Sequence, residues 1–452
     1  MFHQAISVPQ QTVSLPEVVA AFSYALDLTE GQPAGHCVRS CWIGSQVGRA
    51  LGLPAVELND LCYTLLLKDL GCSSNAARIC ELYEVDERQF KRGYKTVGTS
   101  LAATLYFVLS RTARGKPLPR RAAAIGNILR NGDQIAQELI VSRCTRGSEI
   151  ARSLRFSGAV CEGIYRLDEH WDGSGRPGRL RGEAIPLFSR IALLSQVADV
   201  FHTHAGREAA MDEVRRRSGS WLDPQLVRAF ESVVRADSFW QTLRSPMVEA
   251  RVVRMLASGD AIPVEDGYLD AIAAAFGQVI DAKSPYTAGH SERVGIMAER
   301  IGRRVGFSAD RVRLLRRAAL LHDIGKLGVS SAILEKPGGL DEREWIEMRN
   351  HAAHTRAILA HIGALSGLAD IAAAHHERLD GTGYPLGLAQ AQIAQETRII
   401  TTCDFYDALT SDRPYRAAMP VDQALAIMDR EAGKAIDPAC LAALKSTVQQ
   451  PD

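Results

Sequence analysis

No two cysteines of this 452-residue chain are spaced as CxxC, although nine are present and seven of them precede Asp172. Cysteines scattered in this way argue against a disulfide framework and favour buried thiols in a reducing cytoplasm. The chain also lacks an apolar run of roughly 18 residues and a basic start followed by an apolar core, so we expect neither a membrane partner nor a signal peptide. The formal net charge is only +1, which gives no overall field to attract a nucleic acid polymer. We therefore expect a cytoplasmic protein.

The sequence repeats itself once. Residues 34–39 (AGHCVR) recur as residues 288–293 (AGHSER), at an offset of 254 (288 − 34). Residues 171–177 (WDGSGRP) recur as residues 379–385 (LDGTGYP), at an offset of 208 (379 − 171). An ordered series of matches at fixed offsets predicts a tandem of two related domains.

The change of offset indicates that the first copy carries 46 extra residues (254 − 208). We expect the two copies to be joined by an exposed linker, and the repeat offsets then indicate the domain bounds. We expect a first domain at 1–237 with an insertion around 73–142, a linker at 238–265 and a second domain at 266–452.

Both copies are predicted to be helical. Val294, Met297, Ile301 and Val305 recur at intervals of three and four residues, the spacing of an amphipathic helix. Residues 314–324 are more uniformly apolar, as expected of a central buried helix. Alternating strand patterns are scarce, so we predict an all-α fold of two helical bundles.

The second copy contains a series of histidines and carboxylates with the composition of a metal centre. Such ligands suit divalent iron, manganese or zinc better than magnesium or calcium. His322 and Asp323 end an apolar run, where burying two ionisable groups is costly unless something pairs with them. Metal ligation is the simplest explanation. The candidates in chain order are His290, His322, Asp323, His351, His375, His376 and Asp404.

Three ordered motifs of the second copy resemble the HD-GYP family of cyclic di-GMP phosphodiesterases. They are HDIGK at 322–326, HHERLDGTGYP at 375–385 and DFYDALTSDRPYR at 404–416, and residues 281–294 are similar to the family's opening segment. The resemblance covers roughly residues 266–444. It implies that the helical bundles are HD-domain bundles and that the chain is a phosphodiesterase.

The resemblance assigns roles to matching residues. Asp323 falls on a bridging ligand and is a candidate catalytic residue with Lys326, which falls on the lysine that contacts the scissile phosphate or the leaving oxygen. Family members with a third metal carry a glutamate where Tyr286 stands here. We therefore expect two divalent transition-metal ions, iron in the first place and manganese as the alternative. The implied metal ligands are His322, Asp323, His351, His375, His376 and Asp404.

Four further residues are expected to contact the substrate. Arg413 and Arg416 fall on basic residues that hold its phosphates, and His290 becomes a substrate or outer histidine if only two ions bind. Tyr384 is either a turn residue of the Gly-Tyr-Pro loop or a recognition residue. In the family this loop is implicated in binding diguanylate cyclase (GGDEF) proteins, which makes them a candidate partner.

The implied reaction is hydrolysis of cyclic di-GMP to linear pGpG, with further hydrolysis to GMP left open. The base of the nucleotide is not determined by any residue, so another cyclic dinucleotide, such as a mixed guanine–adenine ring, remains an alternative. A catalytically silent receptor for the nucleotide is the alternative from another class. Homodimer formation also remains open.

The first copy lacks most of the candidate ligands. Lys68 replaces His322, Gln196 replaces Asp404 and Arg143 replaces His351, whereas Asp69 and His36 are retained. Lysine beside the retained carboxylate places a positive charge where a metal would lie. We therefore predict a non-catalytic first domain with a regulatory or dimerisation role.

Overall fold

The computed structural model describes residues 14–98, 100–257, 264–414 and 416–449. Over these residues the chain forms α-helices and short 3-10 turns, and no strand is present apart from four isolated β-bridges. The all-α prediction is confirmed. None of the helices in this part of the chain is long and apolar enough to cross a bilayer. Tyr415 of the expected substrate-binding segment lies outside the described residues.

The first half is built from helices of very different lengths. Two of them fill most of the expected linker, whose residues 258–263 lie outside the described part of the chain. The helices are α1 (Leu15–Thr29), α2 (His36–Ala50), α3 (Ala55–Leu67), α4 (Ala76–Tyr83), α5 (Glu87–Lys95), α6 (Leu101–Arg111), α7 (Leu118–Ser153), α8 (Gly158–Tyr165), α9 (Leu187–Arg216), α10 (Pro224–Val233), α11 (Asp237–Arg244) and α12 (Val248–Ala257), with a 3-10 turn at Gly182–Ala184. Helix α12 packs on α1 and α2, so the end of the first half is part of its own bundle.

The helices of the second half, from Asp266 onward, are separated by several 3-10 turns. The helices are α13 (Asp266–Asp281), α14 (His290–Arg304), α15 (Ala309–Leu321), α16 (Ser331–Leu334), α17 (Glu342–Ala360), α18 (Ser366–Ala373), α19 (Gln395–Thr410), α20 (Val421–Glu431) and α21 (Pro438–Gln449). The 3-10 turns are Pro285–Thr287, Ile324–Gly328, Gly363–Leu365 and Gln390–Gln392. Helices α14, α15 and α19 pack on one another and form the centre of this half.

Helix positions recur at the two sequence offsets. Helices α2 and α14 begin 254 residues apart (290 − 36), as do α3 and α15 (309 − 55). Helices α9 and α19 begin 208 residues apart (395 − 187). The chain between these two sets is longer in the first half, where it forms α4, α5, α6 and the N-terminal part of α7.

One hydrophobic cluster runs through both halves. Near its middle, Phe22 of α1 stacks on Phe276 of α13 with ring centroids 3.8 Å apart. Helix α1 also packs on the turn Ile324–Gly328 and on α17 of the second half. The inserted helices have a separate small core, which includes Phe90 and Phe107. The first half therefore lies directly against the elements that carry the candidate site.

Candidate metal centre

The His-Asp pair lies where α15 ends. His322 caps the C-terminus of the helix, and Asp323 follows in the turn. This turn lies tightly against α17, because a Cβ atom on Gly325 would be 1.9 Å from the His351 carbonyl oxygen. The Thr355 hydroxyl joins the two elements by donating to the His322 carbonyl at 3.0 Å and accepting from the Gly325 amide at 3.0 Å.

Three candidate ligands are oriented by the same type of hydrogen bond. Nδ1 of His322, His351 and His375 lies 2.7, 2.6 and 2.7 Å, respectively, from the carbonyl oxygen three residues earlier. A ring bonded in this way carries its proton on Nδ1, which leaves a lone pair on Nε2. Burial lowers the pKa of His322 to about 4 and that of His351 to about 3. Neutral rings with a free Nε2 are suited to bind metal.

The free nitrogens converge on Asp323. Nε2 of His351 and of His375 each lies 3.6 Å from Asp323 Oδ1, and His322 Nε2 lies 3.4 Å from Oδ2. These three nitrogens and Asp323 Oδ1 are buried, and none has a hydrogen-bond partner among the described residues. Ligand bonds of about 2.1 Å to a shared ion separate neighbouring donors by about 3.0 to 3.4 Å. The unpaired donors and their spacing therefore fit divalent transition-metal ions.

The candidate ligands fall into two groups, and within each group the ligand atoms lie within 4.8 Å of one another. One oxygen of Asp323 faces each group, so this carboxylate lies between them. The groups are Asp323, His351, His375 and His376, and His290, His322 and Asp404.

His290 lies among the candidate ligands. Its Nδ1 is 2.7 Å from Asp407, and its buried Nε2 is 3.5 Å from Asp404 Oδ1. Arg293 donates to the same Asp407 at 2.6 Å. Sequence reasoning missed Asp407, although its position one helical turn after Asp404 marks the same face of α19.

Both carboxylates of the centre are held in the ionised form. Burial alone would raise the pKa of Asp323, but Lys326 and His322 hold that pKa well below its usual range. Burial opposes ionisation of Asp404 as well, and His322 and His290 keep its pKa below the ordinary value. Lys326 Nζ contacts Asp323 Oδ2, and the lysine side chain is still 19% exposed. It therefore lies between the ligand groups and solvent.

The Gly-Tyr-Pro loop covers one ligand group. Tyr384 stacks on His376 with ring centroids 4.7 Å apart, and the Arg349 guanidinium lies 5.3 Å from the centroid of the tyrosine ring. The buried Glu377 carboxylate accepts hydrogen bonds from two backbone amides of the loop at 2.6 and 2.8 Å. Tyr384 thus contacts a candidate ligand. Arg349 was missed because no motif contains it.

The two arginines expected to hold phosphates differ in their surroundings. The Arg416 guanidinium donates to the carbonyl oxygens of Ala408, Leu409 and Ala417 at 2.6 to 2.9 Å. It therefore caps the end of α19. Arg413 is half-buried, and its side chain forms no ion pair with a described residue.

An ammonium group occupies the corresponding place in the first half. Lys68 Nζ contacts Asp69 Oδ2 and lies 3.1 Å from His36 Nε2 and 3.3 Å from Gln196 Oε1. Burial opposes the charge on Lys68, but Asp69 raises the pKa of the lysine above its usual value. Burial and the neighbouring lysine lower the pKa of His36 to about 4.

The contacts that support the ligands are retained in the first half. His36 Nδ1 lies 2.6 Å from Asp199, and Arg39 donates to the same carboxylate at 2.7 Å. Glu169 accepts from two loop amides at 2.5 and 2.9 Å. These contacts match those of His290 and of the Gly-Tyr-Pro loop, so the two halves share these supporting contacts and differ in the ligand side chains.

The chain is similar to proteins of known activity. It is 54% identical over 444 residues to the 3'3'-cGAMP-specific phosphodiesterase 3 of Vibrio cholerae serotype O1, covering 98% of this chain and 96% of the relative. It is 39% identical over 151 residues to a cyclic di-GMP phosphodiesterase of Thermotoga maritima, covering 33% of this chain and 41% of the relative. A cyclic di-GMP phosphodiesterase response regulator of Xanthomonas campestris is 37% identical over 174 residues, covering 37% of this chain and 45% of the relative.

A solved structure extends the similarity to the fold. The crystal structure of a cyclic GMP-AMP-specific phosphodiesterase of V. cholerae superposes with a TM-score of 0.67 at 47% identity, covering 98% of this chain and 99% of that chain. The HD domain family matches residues 119–226 and 275–440, one segment in each half. The recognition made from the motifs is confirmed: the chain belongs to the HD domain family.

Proposed function

We propose that the chain is a metal-dependent phosphodiesterase that opens the ring of a cyclic dinucleotide, with 3'3'-cGAMP as the preferred substrate. The observation that carries the proposal is the pair of ligand groups on either side of Asp323. Together these groups would hold two divalent ions, iron in the first place and manganese as the alternative, with Asp323 between the two groups and His290 as an additional ligand. Two such ions supply polarisation of a phosphoryl oxygen and activation of water.

The side chains around the ligand groups bind and orient the phosphodiester. Lys326 presents its ammonium beside Asp323 at the exposed edge of the centre, where it offsets the negative charge that develops on phosphorus-bound oxygens. Arg413 binds a phosphate with the guanidinium that no described carboxylate engages. Tyr384 and Arg349 present a ring and a cation next to His376, a surface suited to the substrate and open to a diguanylate cyclase partner.

The preference for the mixed guanine–adenine ring is supported by how much of this chain each relative matches. The relative that matches over 98% of this chain is named for 3'3'-cGAMP, whereas the cyclic di-GMP enzymes described above match over 33% and 37%. Cyclic di-GMP, the substrate expected from the motifs, becomes the second candidate.

The first half, residues 1–237, is proposed to be a degenerate copy that binds no metal, and residues 266–452 the catalytic domain. The Lys68 ammonium supports this assignment, because a fixed cation already neutralises Asp69 where an ion would lie. Gln196 offers no charge to replace Asp404.

Hydrolysis of the two nucleotides tests the proposal. Protein purified without oxygen and loaded with iron or manganese is compared with the variants His351→Ala and His204→Ala. We expect faster turnover of 3'3'-cGAMP than of cyclic di-GMP, a loss of both activities and of bound metal in His351→Ala, and no change in His204→Ala, whose side chain is exposed. Faster cyclic di-GMP turnover would reverse the preference. Absence of turnover with two ions bound would reject the phosphodiesterase.

A further inference from the structure

The inserted helix α5 reaches the second half through its first residue. Glu87 is fully buried, and its carboxylate accepts hydrogen bonds from Lys283 Nζ at 2.8 Å, the Ser331 amide at 2.9 Å and the Ser330 hydroxyl at 3.2 Å. Lys283 is also buried, and it donates to the carbonyl oxygen of Leu327 at 3.3 Å. A buried ion pair with these additional bonds has a defined geometry.

The next residue of α5 contacts the same region. Arg88 donates to the carbonyl oxygen of Gly328 and pairs with Glu347 at 2.5 Å. Glu347 lies on α17 one turn before the candidate ligand His351. The first turn of α5 therefore contacts both the turn Ile324–Gly328 and the helix that supplies a ligand.

The ion pair between Glu87 and Lys283 is not repeated in the sequence of the first half. Position 283 corresponds to Thr29 at the offset of 254 (283 − 254), so the first half has no matching cation. Glu87 belongs to the inserted residues. The other end of α5 is tied to the first half, where Lys91 and Lys95 pair with the buried Glu30 at 3.2 and 2.7 Å. The helix thus connects the degenerate half to the catalytic half.

We infer that Glu87 is a positioning residue of the reaction: through Lys283, which donates to Leu327, and through Ser331 it holds the C-terminal end of the turn that follows Asp323 and carries Lys326. The inference rests on the proposed phosphodiesterase function. Without the carboxylate, the buried ammonium of Lys283 loses its charged partner. The lysine then shifts toward another polar group, and the turn, to which it is bonded through Leu327, shifts with it. A small displacement of groups that act on a phosphate reduces turnover more than binding.

Kinetics of the full chain test this role. The Glu87→Gln variant keeps the shape of the side chain and removes its charge, and Glu57→Gln, on an exposed residue of α3, is the matched control. We expect Glu87→Gln to lower kcat about tenfold at unchanged metal content, with KM within about twofold, and Glu57→Gln to behave as the wild type. Combining Glu87→Gln with Lys283→Met should lower kcat by less than the product of the two single effects.

The outcomes separate the inference from the proposed function. A wild-type enzyme that hydrolyses cyclic dinucleotide and a Glu87→Gln variant with unchanged kcat and only a lower melting temperature would overturn the positioning role. A wild type without activity would instead reject the proposed function. If Glu87→Gln fails to fold, Arg88→Met removes the neighbouring contacts from a partly exposed side chain. A fall in kcat then supports the role, and an unchanged kcat overturns it.

Discussion

At the scale of single residues, the buried ammonium of Lys68 is expected to stabilise the first half by neutralising Asp69. Lys68→Met leaves Asp69 buried without its cation, and we expect the free energy of unfolding to fall by about 3 to 5 kcal/mol. Urea unfolding measures the change. Lys434→Met, on an exposed lysine, is the control and should change little. Equal effects in the two variants would contradict the role of the ammonium.

His36 supplies a pH dependence of stability. Its pKa is about 4 in the folded chain and about 6.5 without burial, so the unfolded chain binds a proton that the folded chain does not. The neutral His36 ring therefore contributes fully to the free energy of unfolding above pH 6.5. This contribution, at most about 3 kcal/mol, is lost as the pH falls toward 4. As the pH is lowered from 6.5 to 4, the melting temperature should fall more steeply for the wild type and His204→Asn than for His36→Asn. Parallel curves for all three proteins would exclude His36 as the cause.

The motifs identified the candidate ligands of the centre but not the contacts that orient their side chains. The candidate ligands were predicted because histidines and carboxylates stand in ordered motifs, and the structure brings all of them together. Asp407 and Arg349 could not be recognised, since their roles depend on the faces that α19 and α17 present. The capping role of Arg416 was likewise not visible, because its partners are backbone carbonyls.

At the scale of elements, the approach of the His-Asp turn to α17 yields a paired prediction. A Cβ atom on Gly325 would lie 1.9 Å from the His351 carbonyl oxygen, and one on Gly71 would lie 1.8 Å from that of Arg143. We expect Gly325→Ala to lower both stability and metal content, because the turn and the ligand helix separate. Gly71→Ala should lower stability alone.

Metal analysis and thermal unfolding of the two variants test this difference. Gly338→Ala is the control, since a Cβ atom there meets no atom within 4 Å. Retention of both ions by a destabilised Gly325→Ala protein would contradict the placement of the centre between the turn and α17.

The positions of helices could be predicted in the repeated parts of the sequence. They could not be predicted in the insertion, which has no second copy. Helix starts recur at the offsets of the motifs, because equivalent cores require equivalent helices. The inserted helices have no counterpart from which to infer them. Glu87 and Lys283 are 196 residues apart, and no local pattern predicts that a glutamate on one helix will meet a lysine at such a separation.

At the scale of the whole molecule, the stacked Phe22 and Phe276 lie in one hydrophobic cluster that both halves share, so we expect the two halves to unfold together. Phe22→Ala and Phe276→Ala each remove a ring from the shared core, and we expect each to lower the free energy of unfolding by about 3 to 5 kcal/mol. Because the rings contact each other, the double variant should lose less than the sum of the single losses. Urea unfolding of the four proteins tests this, and additive losses would place the rings in independent cores.

The same ring pair has a consequence for how the sequence can diverge. Two residues that occupy the same position in their repeats and meet face to face are arranged as they are across the axis of a twofold dimer. In a dimer of identical subunits a lysine at the metal position would appear in both copies and abolish both centres. Within a single chain the change is confined to one copy, while the contact surface of the pair is kept. Covalent linkage thus allows the ligand side chains of one half to change while the surface that packs against the other half is kept.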